Sequence, residues 1–400
     1  MEVDSEIIIN TSDKKLIKKK RNKSLIHYLI LILILINIGI FARLFHYFTK
    51  KQANKNFYRI KENFVNKRNH TKIIYSSSNE TFINKNNTNK INNTNENITF
   101  NENILKKFME HQKNFCQNKA EYYNQNYENQ ISLVKAHFID KYFSMYIYKK
   151  EDIVSKCIRY GKRWEPGETM NILRALEYYS SKKKLNNNNI YALDIGSNIG
   201  WYTLFLGKYG YNILSFEPSD LNYYILRKNY CLNQELNITI IKSGIYDEDR
   251  DCDFYISVGN IGDCWIFCDN NSSNISIPNH LKKSGKTKLS KLSNYVGFLS
   301  NKNLGLIKID VEGSEARAIK SGIELVSKYH VPFIFLEYSP HPLKNHGTNP
   351  EELLNIFEEN GYKFAKKNFF DTNYYSKKEI IATTYDNKNL YIVYPQFINS

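Results

Sequence analysis

Four hundred residues, 42% of them hydrophobic and including 31 Tyr and 23 Phe, suffice for one large or two modest domains with a sizeable core. The formal charge is +16, from 56 Lys and Arg against 40 Asp and Glu. No basic stripe interleaved with aromatics recurs at a regular period, so the charge does not describe a nucleic-acid partner. It is densest at Lys14, Lys15, Lys18, Lys19, Lys20, Arg21 and Lys23, just ahead of one apolar segment.

Residues 1–23 accordingly read as a basic cytosolic tail and 24–48 as a transmembrane anchor. From Leu25 to Ala42 the chain is apolar apart from His27, Asn37 and Gly39, just long enough to cross a bilayer. No small-x-small cleavage site follows it, as a removable signal peptide would require. Arg43, Lys50, Lys51, Lys55 and Arg59 follow the segment, but the denser cluster precedes it. The expected protein is therefore single-pass and type II, with its C-terminal part in the lumen of the endoplasmic reticulum or Golgi. Residues 49–103 are Asn-rich and polar, a flexible stem unable to bury a core. Glycosylation sequons begin there at Asn69, Asn79, Asn86, Asn92 and Asn97; Asn10 and Asn22 begin others on the cytosolic side.

Residues 104–180 form a lead-in segment expected to be helical, with one helix opening at Asp152 and another over Glu168 to Tyr179. The main domain, 181–400, opens with a strand (Tyr191-Ala192-Leu193), the turn Asp194-Ile195-Gly196-Ser197-Asn198-Ile199-Gly200, and a helix from Trp201. A second strand, Asn212 to Phe216, ends on Glu217-Pro218. This is the pattern of a βαβ unit that holds an adenosine-containing cofactor. The glycines are expected to let the backbone approach the ligand, and Glu217 to accept both ribose hydroxyls. The spacing is Gly-x-x-x-Gly rather than G-x-G-x-x-G, and Asp194 would repel a pyrophosphate. S-adenosylmethionine (SAM), cationic and without phosphate, suits the turn better than NAD.

Further strands are expected near 238–243, 306–310 and 333–337, with a helix over Leu353 to Glu359. Lys363-Phe364 and Leu390 to Tyr394 supply the last, antiparallel strands. Asp253 to Ser276 carries no assignable element. Cys264-x-x-x-Cys268 lacks the second ligand pair of a structural zinc site, and the sequence does not choose a pairing for the six cysteines.

With the Asp194–Gly200 turn and Phe216-Glu217-Pro218, the run Lys308-Ile309-Asp310-Val311-Glu312-Gly313-x-Glu315 resembles the FkbM-type methyltransferases. Trp164-Glu165-Pro166 with Thr169 and an apolar strand ending on Glu337 extend the resemblance to roughly Asp152 through Tyr362. It implies a class I methyltransferase (Rossmann-like) α/β fold: a seven-stranded, mostly parallel sheet with helices on both faces. It also implies SAM-dependent methylation of a hydroxyl, on a glycan or related acceptor. Asp194, Gly196, Ser197, Asn198, Gly200, Glu217, Glu165 and Ser243 are the expected cofactor residues. Asp310, Glu312, Lys308 and Glu337 are the expected catalytic ones.

Alternatives stay open at single positions. Lys308 either orients the acceptor or only pairs with the acids around it. Glu312 and Glu315 either serve the chemistry or cap a helix. His341 and His346 are a loop base or solvated. The acid cluster has no accompanying Asp/His set, so no metal is expected. Two other functions are weighed: a membrane-tethered binding protein on a degenerate methyltransferase fold, and an NAD-dependent oxidoreductase, whose G-x-G-x-x-G is absent.

Overall fold

The computed structural model describes residues 94–118, 120–150, 152–268, 277–385 and 387–400. The expected anchor and nearly all of the expected stem lie outside them; among the described residues no helix is long and apolar enough to cross a membrane. The first described helix, α1 (Thr94–Gln117), begins inside the expected stem. The lead-in segment is not all helical. Its centre is a hairpin, β1 (Ile131–Phe138) and β2 (Lys141–Tyr148), and α2 (Ile153–Gly161) and α3 (Pro166–Lys183) follow. Asp152 caps α2 by accepting from the Ser155 amide at 2.6 Å, as the sequence suggested for a helix opening there.

The main domain then alternates strand and helix: β3 (Ile190–Ile195), α4 (Trp201–Lys208), β4 (Asn212–Phe216), α5 (Asp220–Cys231) and β5 (Ile238–Ile241). An insertion follows, with β6 (Gly244–Tyr246), β7 (Arg250–Ser257), β8 (Asn260–Phe267) and β9 (Leu281–Lys291). The chain returns through α6 (Ser293–Leu299), β10 (Asn303–Ile309), α7 (Glu315–Ser321) and β11 (Phe333–Tyr338). It closes with α8 (Pro340–Asn345), α9 (Pro350–Glu359), β12 (Lys363–Ala365), β13 (Tyr374–Tyr375), α10 (Lys377–Thr383) and β14 (Lys388–Val393).

The principal sheet has eight strands rather than the expected seven, in the order β13-β12-β14-β11-β10-β3-β4-β5. The extra strand is the two-residue edge strand β13. Pairing from β5 across to β11 is parallel, and β14 runs antiparallel to both β11 and β12. Strand alternation divides the apolar residues into two cores. Ala192, Ile213, Ile240, Leu306 and Phe335 meet one set of helices; Leu193, Leu214, Ile241, Ile307 and Leu336 meet the other.

The unplaced stretch Asp253 to Ser276 turns out to hold most of β7 and all of β8. These belong to a second sheet, ordered β6-β9-β7-β8, that the sequence reading missed. Disulfide Cys252–Cys268 joins the start of β7 to the end of β8.

Helix α1 guards the open edge of the principal sheet. The Gln112 side-chain amide donates to the Ile238 carbonyl at 3.0 Å and accepts from the Ile240 amide at 3.0 Å, satisfying an edge that would otherwise be free to pair. Disulfide Cys116–Cys231, spanning 115 residues, ties α1 to α5. Closing so long a loop removes much unfolded-state entropy, and losing such a bridge costs about 2–5 kcal/mol. Replacing both Cys116 and Cys231 by Ser should lower the thermal midpoint, and a reductant should lower that of the wild type further than that of the double variant. Equal midpoints for wild type and variant under oxidising conditions would contradict this role.

Candidate functional site

Sheets of this kind bind ligands at the carboxyl ends of their parallel strands. There Asp194, the last residue but one of β3, is paired in register with Lys308 of β10 and Ser215 of β4. Asp194 is buried. Its Oδ2 accepts from the Thr203 hydroxyl at 2.6 Å, and its Oδ1 lies 3.4 Å from Lys308 Nζ. Lys308, also buried, donates to the Gly196 carbonyl at 2.7 Å and stands 3.4 Å from Asp310 Oδ2. Burial pulls its pKa down, but the Asp310, Asp194 and Glu165 carboxylates outweigh burial and push it up, so it stays charged. Lys308 and Asp310 share a face, as strand alternation requires; Asp194 is engaged by Thr203 and Lys308.

The turn after β3 is satisfied from within. The Gly196 and Ser197 amides both donate to the Phe216 carbonyl at 3.0 Å, and the Gly200 amide donates to the Ser197 carbonyl at 2.9 Å. The Asn198 amide donates to Glu217 Oε2 at 2.8 Å, and the Ile199 amide to Asn198 Oδ1 at 2.8 Å. Ser197 Oγ donates to the Asp194 carbonyl at 2.7 Å. Every amide from 196 to 200 therefore has an internal acceptor.

The two glycines are required by packing. At Gly196 (φ +81°) a Cβ would lie 1.8 Å from the Asp310 carbonyl oxygen, and at Gly200 (φ +92°) 2.3 Å from Leu226 Cδ1.

Glu217 follows β4 and is 3% exposed. Its Oε1 accepts from the Ser219 amide at 2.9 Å and from Asn222 Nδ2 at 3.4 Å. Burial nevertheless pushes its pKa up to about 7. The tip of the β7–β8 hairpin reaches this point: the Gly262 carbonyl accepts from Asn198 Nδ2 and Asn222 Nδ2, each at 3.5 Å. Tyr148 of β2 donates to Asn222 Oδ1 at 2.5 Å, so the lead-in hairpin also touches this cradle. Ser243 is turned elsewhere, its hydroxyl engaged with the Gly244 carbonyl and Ser290 Oγ of the insertion.

On the neighbouring strand tips, Asp310, Glu312 and Glu337 each place a carboxylate oxygen within 4.8 Å of the others. Glu312 adopts φ +52°. Asn387 Nδ2 donates to Glu337 Oε1 at 2.7 Å, while burial and the hydrogen-bonded Asp310 push the Glu337 pKa up to about 9. Burial, then Asp263 and Glu337, push Glu312 well up. Glu315 is fully buried; its Oε1 accepts from the amides of Gly313 (3.1 Å) and Val311 (3.3 Å), and burial pushes its pKa up to about 7. Glu165 accepts from the Tyr202 hydroxyl at 2.7 Å, and its pKa is raised by burial. Thr169 is internal, accepting from Trp201 Nε1 at 3.0 Å and donating to the Trp164 carbonyl at 3.0 Å.

Of the two histidines, His341 is exposed on α8. His346 is buried against the Phe267 ring at 4.7 Å, and burial pushes its pKa down to about 4, so it is neutral. The residues missed from sequence are Tyr148, Asn222, Gly262 and Asp263; Asp263 and Gly262 fall in the stretch that had no periodic signal.

Residues 194–364 match the family model described as the methyltransferase FkbM domain. No curated protein sequence matches the chain. Similar solved structures include the T. thermophilus 16S rRNA N2 G1207 methyltransferase in complex with AdoMet and guanosine. That pair has 11% identity and a TM-score of 0.31, covering 66% of this chain and half (50%) of the other. Magnesium protoporphyrin IX methyltransferase from Synechocystis PCC 6803 with bound SAM is 12% identical, with a TM-score of 0.30, covering 60% of this chain and 83% of the other. Likenesses this distant carry no argument about function.

Two predictions follow from the geometry. Gly196→Ala should destabilise the whole domain by several kcal/mol, because backbone must move to admit the Cβ; a folded variant with only its ligand affinity reduced would contradict the packing role. Glu315 takes a proton in the folded chain up to about pH 7, against about 4.5 for the free group. Over that window the folded state holds more protons than the unfolded, so stability falls as pH rises. Glu315→Gln should therefore gain on the wild type as pH rises from about 4.5, with the gap levelling off above about 7. Thermal midpoints across this range check it; a gap that closes with rising pH would reverse the assignment.

Proposed function

We propose that the chain is a SAM-dependent methyltransferase that methylates a hydroxyl of a glycan or related acceptor. The match of residues 194–364 to the FkbM methyltransferase domain is the premise. The internal satisfaction of every amide from Gly196 to Gly200 is the observation that carries the choice of cofactor. A dinucleotide site needs such amides free for a pyrophosphate; SAM has none and requires instead an acid for the ribose and negative charge for its cationic end. Glu217 and Glu165 fit those two needs. The same observation disfavours an NAD-dependent oxidoreductase.

When bound, SAM supplies a methyl group on a cationic sulfur, ready for in-line displacement. The protein's own work is then alignment and proton removal. Asp310, beside Lys308, is the carboxylate placed to take the acceptor proton. Glu337, hydrogen-bonded to Asp310, holds that carboxylate in position at the strand tip. Lys308 keeps negative charge tolerable at the strand tips. Intact acids at Glu217, Asp310 and Glu337 count against a degenerate binding protein.

We also read the C-terminal part as luminal, behind a membrane anchor at 24–48. The disulfides Cys116–Cys231 and Cys252–Cys268 support that reading, because such bridges persist in oxidising compartments.

Isothermal titration of the full-length chain should show SAM binding and none by NAD. Glu217→Ala should weaken SAM binding by about 1.5–3 kcal/mol, the usual worth of hydrogen bonds to a charged group. With labelled SAM, Asp310→Asn should cut turnover by about 10²–10⁴-fold while SAM affinity changes by less than about tenfold. Undiminished SAM binding by Glu217→Ala, or near-normal turnover by Asp310→Asn, would remove the corresponding assignment. In cells, enzymatic deglycosylation should lower the apparent mass, and joint replacement of Asn69, Asn79, Asn86, Asn92 and Asn97 should remove most of that shift.

A further inference from the structure

In sequence the acid cluster, Asp310 and Glu312 with Glu315 on the next turn, has no accompanying Asp/His set, and no metal is expected there. The fold brings Glu337 of β11 and Asp263 of the insertion to it. Asp263, on β8 of the insertion, is fixed by Trp265 Nε1, which donates to its Oδ1 at 2.8 Å. Its charge acts on Glu312 more strongly than that of any other neighbouring group. Glu315, from the start of α7, is 0% exposed. One of its oxygens is held by the loop amides, but Oε2 is fully buried with no hydrogen-bond partner, and its charge acts on Glu312 and Glu337. Five carboxylates thus converge from β8, the ends of β10 and β11, and the first turn of α7. Lys308 cannot balance them, because it is shared with Asp194 and the Gly196 carbonyl.

Oxygens of this kind are the ligands that hard divalent cations take. We propose that Asp310, Glu312 and Glu337, with Asp263 and Glu315 behind them, form a binding site for one divalent cation such as Mg²⁺ or Mn²⁺. The three ligand oxygens lie within 4.8 Å of one another, close enough to be reached by a single ion. The binding itself stands independently of the methyltransferase reading; the role rests on it. A cation here would hold an acceptor oxygen as a further ligand at the strand tips, beside the carboxylate that takes its proton.

The test is isothermal titration of metal-free, full-length chain with Mn²⁺. Saturable uptake at one site per chain, displaced by Mg²⁺, is expected. Glu337→Gln should abolish it, and Asp263→Asn should weaken it by about tenfold or more, as loss of a supporting residue does. Thermal midpoints of the same samples guard against misfolding: Mn²⁺ should raise the wild-type midpoint and leave that of Glu337→Gln where it was. Absence of saturable Mn²⁺ binding by the wild type, or binding untouched by both substitutions, overturns the proposal. A SAM titration on the same preparation keeps the two readings apart. SAM uptake without Mn²⁺ uptake removes the metal site alone, and Mn²⁺ uptake without SAM uptake removes the methyltransferase alone.

Discussion

One buried ammonium organises the carboxyl end of this sheet. Removing an unpaired Lys from water into a protein interior is strongly unfavourable, and Lys308 is tolerable there only because acids and a carbonyl surround it. It spans Asp194 on β3, the Gly196 carbonyl in the following turn and Asp310 beyond β10. The turn's shape, the position of the Gly196 backbone against the Asp310 carbonyl and the neutralisation of Asp194 and Asp310 all depend on that one side chain. Its role as a counterion and any role in orienting an acceptor are therefore not alternatives, because the group that balances Asp310 also sets where Asp310 stands.

The insertion divides the carboxyl end of the sheet in two. Successive side chains of β8 point to opposite sides. Gly262 and Cys264 meet the Asn222–Glu217 side, the Cys264 sulfur lying 3.7 Å from Asn222 Nδ2. Asp263, Trp265 and Phe267 meet the side of Glu312 and His346. Strand β8 thus runs as a partition between the cradle built around Glu217 and the acids at the tips of β10 and β11. Its disulfide to the start of β7 and its hydrogen bonds at the tip hold it at both ends.

Much of this was legible in the sequence, for identifiable reasons. The strands at 190–195, 212–216, 303–309 and 333–338 are short apolar runs bounded by turn residues and carboxylates, a pattern that buried parallel strands produce. Glu217, Lys308 and Asp310 were legible because position in that pattern places them at strand ends. The hairpin at 131–148 was not: burial alternates in β2 at Phe143, Met145 and Ile147, but the opposite face carries Tyr142 and Tyr146 and β1 exposes Leu133, so the sequence shows no polar alternation. The β7–β8 hairpin was hidden among Cys, Asn and Gly, and Asp263 with it, because strand pairing rather than composition decides its structure. The packing requirement at the two glycines was not legible. A φ near +80° leaves open what the missing Cβ would strike, and here it strikes the protein's own backbone and Leu226.

The claim that Lys308 is the shared counterion is tested most directly by a double-mutant cycle with Asp194. Lys308→Met alone leaves buried carboxylates without their cation and should cost about 3–5 kcal/mol of unfolding free energy. Adding Asp194→Asn to that variant removes one of the stranded charges while keeping its shape. The account predicts that the double variant recovers part of the loss, with a coupling energy of about 1–3 kcal/mol, as directly interacting groups show. Strictly additive losses would mean that Lys308 and Asp194 do not depend on each other, and the central claim would fail.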